Sequence, residues 1–172
     1  MITRRIGPTS LLALGLFIAS IPAAHAVDGT EGLDPCLEAV LKQREGMIIG
    51  WEGLKSGPAA FKIVVMTKDG RVWDTTCDVQ TLALTPFSQS LLRELRNYKM
   101  LTERAKVTED QARFTVKTYY AGKFEAMKYG TTSFRGGAAY VYTVITPDDR
   151  EATVEVDAAT ARILQTKSKA RE

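Results

Sequence analysis

Residues 136–163 read GGAAYVYTVITPDDREATVEVDAATARI, and residues 57–84 read GPAAFKIVVMTKDGRVWDTTCDVQTLAL. Laid over one another without a gap, they agree at nine positions. The pairs are Gly57/Gly136, Ala59/Ala138, Ala60/Ala139, Val65/Val144, Thr67/Thr146, Asp69/Asp148, Arg71/Arg150, Asp78/Asp157 and Thr81/Thr160. Turn residues match as well as apolar ones, which reads as a duplication. Each copy opens on a β-branched and aromatic run, AAFKIVVMT or AAYVYTVIT, of the composition that strands favour. KDGR or PDDR follows, with the residue types of a tight turn. The next run alternates in the later copy, with Ala152, Val154 and Val156 set against Glu151, Thr153, Glu155 and Asp157. Period two gives one buried face and one wet face. The match places Trp73, Thr75 and Cys77 on the buried side of the earlier copy.

Outward from the paired runs, each copy gains a strand and a helix. Strands are expected around Ile48–Leu54 and Phe124–Tyr129. Before the first, Asp34 can cap a helix, Pro35 suits its first position, and Leu37, Val40 and Leu41 form an apolar stripe. Before the second, Thr108 and Gln111 have capping-box spacing, and Ala112, Val116, Tyr119 and Tyr120 recur at helical intervals. Gly46 and Gly122 are expected to end the two helices. Between the copies, Leu91, Leu92, Leu95 and Tyr98 predict an amphipathic connecting helix. Its Arg93, Arg96, Lys99, Arg104 and Lys106 are read as a solvated face. The expected fold is α+β: two repeats of helix followed by a three-stranded antiparallel sheet, joined by a connecting helix. The expected boundaries are a signal peptide over 1–26, repeat 1 over 27–85, the connecting helix over 86–106 and repeat 2 over 107–172.

The signal-peptide reading rests on Arg4 and Arg5, an apolar run from Leu11 to Ile21, and Ala24-His25-Ala26. The run is short for a membrane span, and no second long apolar segment follows. Cleavage after Ala26 leaves 146 of the 172 residues, with 21 basic against 20 acidic side chains. The expected location is therefore periplasmic or secreted, with no membrane insertion after cleavage. A balanced charge argues against nucleic acid. The single histidine, His25, leaves with the leader. Ser-His-Asp and Cys-His catalysis are then excluded, as are His-bearing zinc sites. No catalytic residue, metal or cofactor is expected. Cys36 and Cys77 are the only cysteines. In an oxidising compartment they read as one disulfide tying helix to strand, with two buried thiols as the other reading.

The segments VTEDQA, YVYTVITPDDREATVEVDAATARIL and, more weakly, FKIVVMTKDGRVWDTTCDVQTLAL resemble the PepSY domain family. Their shared mark is strand–Asp-x-x-Thr followed by a hydrophobic residue, with Asp78, Thr81, Asp157 and Thr160 as structural turn residues. Where the family usually places glycine after that threonine, this chain has Leu82 and Ala161. The first copy also has Cys77 in place of the strand valine. The resemblance implies a non-enzymatic binding or inhibitory module, exported and acting on a peptidase or another envelope protein. The hairpin KYGTTSFRGG, residues 128–137, is the longer of the two and offers Tyr129, Phe134 and Arg135 as candidate contact residues. β-Augmentation at a sheet edge is the other route to a protein partner. Two further classes remain open: a small-ligand groove lined by Tyr119, Tyr140 or Tyr142, and self-association through edge strands.

Overall fold

A computed structural model describes residues 28–90, 102–132 and 137–171. The expected leader, most of the expected connecting helix, and Phe134 and Arg135 lie outside the described residues. Eight strands form one antiparallel sheet: β1 (Gly46–Gly53), β2 (Ala60–Thr67), β3 (Val72–Asp78), β4 (Ser88–Gln89), β5 (Lys123–Thr131), β6 (Ala138–Ile145), β7 (Arg150–Asp157) and β8 (Ile163–Ala170). Their order is β4-β3-β2-β1-β5-β6-β7-β8. Two helices, α1 (Leu33–Gln43) and α2 (Glu109–Tyr119), pack on it, and residues 102–104 form a short helical turn.

This topology corrects the expected two repeats of helix plus three-stranded sheet. The chain makes one continuous sheet, because β1 pairs β5 through Gly50↔Lys128, Trp51↔Met127 and Glu52↔Ala126. Each would otherwise present a bare backbone edge in the middle of the molecule, and pairing satisfies those N–H and C=O groups. The sheet also grows outward. Ser88–Gln89, inside the stretch expected to be a connecting helix, pairs with Trp73 and Asp74. Ile163–Ala170, assigned to no element from sequence, pairs with β7 from Arg150 to Val156.

The hairpins follow the matched sequence. Ala60 pairs with Asp78 and Ala139 with Asp157. Phe61 faces Cys77 where Tyr140 faces Val156. At the turn between them, Thr67 N–H donates to the Arg71 carbonyl at 2.9 Å, as Thr146 N–H does to Arg150. Gly70 and Asp149 hold the same left-handed position, with φ of 79° and 56°.

Both helices cover one face of the sheet. Register puts Cys77, Phe61, Ile63, Trp51, Met127 and Tyr142 on that side, and all are buried. α1 contributes Leu33, Cys36 and Val40; α2 contributes Ala112 and Val116. Edge-on ring contacts, Trp51 against Phe61 and Phe124 against Tyr142, fill the centre. The helix ends depart from expectation in part. Thr108 forms the full capping box with Gln111. Asp34 does not cap α1: the helix begins at Leu33, Gly32 is the N-cap, and Asp34 sits in the first turn. Gly46 opens β1 rather than ending α1, whose C-cap is Arg44. Tyr119, expected in the apolar stripe of α2, instead faces solvent and is 72% exposed.

The opposite face carries no helix among the described residues. Lys62, Glu52 and Lys128 are exposed there, and Val64, Thr76, Val141, Thr143 and Thr153 are half-buried.

Candidate functional site

The two Asp-x-x-Thr turns are local structures with matching geometry. Asp78 Oδ1 accepts from the N–H groups of Gln80 (3.0 Å) and Thr81 (2.8 Å) and from the Thr81 hydroxyl (2.9 Å). Asp157 Oδ1 accepts from the N–H groups of Ala159 (2.7 Å) and Thr160 (2.9 Å). The Thr81 backbone and hydroxyl groups hold the Asp78 carboxyl below its ordinary value. Both aspartates are occupied with their own backbone, which is turn chemistry.

Cys36 and Cys77 are joined by a disulfide with a Cα–Cα distance of 5.8 Å, and both are fully buried. It ties the first turn of α1 to the end of β3. Tyr129 is corrected as a contact residue: it is 2% exposed, with its ring 5.0 Å from that of Tyr140. Register explains this, since Tyr129 pairs with Tyr140 on the helix-covered side. Tyr140 and Tyr142 do not line an open groove. The Tyr140 hydroxyl donates to the Val107 carbonyl (2.8 Å) and that of Tyr142 to the Glu109 carbonyl (3.0 Å). Burial pushes both phenols above their ordinary value.

At the centre lies a polar cluster that sequence reading missed. Trp51 Nε1–H donates to Glu109 Oε1 at 3.0 Å. The same oxygen lies 3.5 Å from Arg113 Nε, and Arg113 also pairs with Asp34 and, at 3.1 Å, with Asp110. Arg113 is 2% exposed and Glu109 8%. Burial raises the Glu109 carboxyl above its ordinary value, and its pairing with Arg113 only partly offsets this. For Arg113, burial opposes the charge, but Glu109 and Asp34 outweigh it and raise the value. The cluster locks α2 to α1 and to the central strand. The available signal was the i,i+4 placement of Glu109 and Arg113 beside Ala112 and Val116.

β8 forms one outer edge of the sheet. It is eight residues long, and no strand pairs with its outer side among the described residues. Five consecutive residues, Thr166–Ala170, are exposed. Lys167 and Lys169 point to the face opposite the helices, paired in register with Thr153 and Glu151. Lys169 lies 3.3 Å from Glu151, while Lys167 makes no ion pair among the described residues. The other edge, β4, has only two residues. Among the described residues no group of three or more His, Cys, Asp or Glu is placed to hold a metal ion, and no helix is long and apolar enough to cross a membrane.

No family model matches the chain, and no curated protein matches it. Two solved structures resemble it in part. One is a "putative lipoprotein (CD1622)" from Clostridium difficile 630, at 13% identity over 83% of this chain and 93% of that one, with a TM-score of 0.48. The other is the C-terminal domain of YpeB from Bacillus megaterium, at 13% identity over 81% of this chain and 66% of that one, with a TM-score of 0.32.

Proposed function

We propose that this chain is an exported, non-enzymatic module that binds another protein, a peptidase or another envelope protein, by taking up an extended segment along β8. The observation that carries the reading is the eight-residue outer edge of β8, with which no strand pairs among the described residues. An unpaired edge offers a row of backbone donors and acceptors to an incoming strand. The PepSY resemblance of the Asp-x-x-Thr turns supports a binding or inhibitory role. The buried Cys36–Cys77 disulfide suits an oxidising compartment, in keeping with the leader-like first 26 residues. Lys167 and Lys169 also bear on the choice of partner. They disfavour in-register pairing with β8 of a second copy, where like charges would meet, and favour a strand with acidic residues at alternate positions.

The test is affinity capture from an envelope extract with wild type and with a Lys167→Glu/Lys169→Glu variant. Wild type is expected to retain a specific protein that the charge-reversed variant, with unchanged circular dichroism, does not. Equal retention by the two proteins, or no specific protein on either, would refute the edge reading.

A further inference from the structure

The joint between β1 and β5 is only three residue pairs long, whereas β1 and β2 pair from Gly46↔Thr67 to Gly53↔Phe61. Beyond Glu52↔Ala126 the two strands part, and the register of β5 shifts at Glu125. A cavity of about 510 Å3 occupies this gap. Phe61, Val79, Phe124 and Leu54 supply its apolar lining, and Gly29 and Gly53 border it without a side chain. Its volume lies within the range of small-ligand sites, roughly 300–1,000 Å3.

The charged groups around the opening are unevenly matched. Lys55, Lys123 and Arg171 line it, with Glu31 and Glu125 as the acids. Glu125 holds Lys55 at 3.1 Å and Arg171 at 3.4 Å, and Arg171 also reaches Asp149, outside the cleft lining, at 3.3 Å. The Glu31 carboxylate is engaged by the N–H groups of Asp28 (3.0 Å) and Gly29 (3.1 Å). Lys123 has no ion pair among the described residues. One carboxylate thus already sits between two cations drawn from distant parts of the chain, above an apolar floor, with a third cation unmatched.

The geometry points to a binding site for a small apolar ligand that ends in a carboxylate, seated in the cleft where β1 and β5 separate. The apolar part lies against Phe61 and Val79, and the carboxylate competes with Glu125 for Lys55 and Arg171 and meets Lys123. A fatty acid and a peptide with an apolar C-terminal residue share this chemistry. The cleft shares with β8 only Arg171, the residue after the strand's end, and uses none of the β8 edge, so either assignment stands or falls alone.

Isothermal titration of the full chain tests it with two matched pairs: octanoate against octanol, and N-acetyl-Leu-Leu against its C-terminal amide. At least one carboxylate is expected to bind about tenfold or more tightly than its neutral counterpart, the scale of a lost hydrogen bond to a charged group. Binding by octanoate alone identifies a fatty-acid site, and binding by the dipeptide alone a C-terminus site. Glu125→Gln, which frees Lys55 and leaves Arg171 held by Asp149 alone, is expected to tighten binding. Gly53→Leu is expected to abolish it by filling the cleft. A Cβ at Gly53 meets the Phe61 ring at 3.7 Å, an ordinary contact, so the variant should keep its fold. No binding by either carboxylate, equal binding of the neutral compounds, weaker binding by Glu125→Gln, or full binding by a folded Gly53→Leu would each overturn the assignment.

Discussion

Leu82 and Ala161 hold φ angles of 56° and 57°, in the left-handed region that disfavours residues with a Cβ. Each follows the threonine of an Asp-x-x-Thr turn, and each N–H donates to the aspartate carbonyl at 2.9 Å. The position explains why glycine is expected after that threonine: the hydrogen bonds of the turn force the backbone through left-handed space. Ala161→Gly is therefore expected to stabilise the protein by about 0.5–1 kcal/mol, the strain relieved less the added freedom of the unfolded glycine. Asp157→Ala, which strips the turn of its two N–H acceptor bonds, is expected to destabilise by about 1 kcal/mol. Urea midpoints of the two variants check both signs. These turns were legible from sequence because their chemistry is local. The acceptor and its donors lie within three residues of one another. Tyr129 was not, since its burial depends on Tyr140 across the strand pair.

α2 shows where an element's own pattern stops being informative. Its start was readable, because the capping box is closed by Thr108 and Gln111 within the same turn. Its inner face was not. A stripe reading sends Glu109 and Arg113 to solvent, yet both are buried against Trp51 and Asp34, far off in the chain. Burial holds the Glu109 carboxyl above its ordinary value of 4.5. For a group whose folded value is raised, the favourable contribution is complete below the unfolded value and is lost as pH rises through the folded one. The stability of wild type relative to Glu109→Gln is accordingly expected to be greatest below pH 4.5 and to fall as the pH rises above it. Denaturant titrations of both proteins at pH 4 and pH 7 measure that difference; a value independent of pH would contradict the account. β4 and β8 escaped notice for a related reason. Edge strands bury little, so ILQTKSKA shows no run of apolar alternation.

At the scale of the molecule, the helix layer is bound to the sheet by packing, by the Glu109–Arg113 cluster and by the Cys36–Cys77 bridge. Opening that bridge releases a loop with a sequence separation of 41 residues. In the chain-entropy account, a Cys36→Ser/Cys77→Ser variant is expected to lose roughly 4 kcal/mol of stability. Comparing its denaturation with that of wild type, with and without reductant, checks this; reductant should lower only the wild-type protein. The sequence by itself determined the local parts: the two hairpins with their turns, the capped start of α2, and which face of β3 and β7 is apolar. Those follow from contacts between near neighbours and from a period of two. Only the tertiary structure decided that β1 joins β5 in one eight-stranded sheet, that β4 and β8 extend it, and that a cleft opens where the central strands part. Strand pairing is made by backbone N–H and C=O groups that every residue carries, so the choice of neighbour leaves no mark in the pattern of side chains.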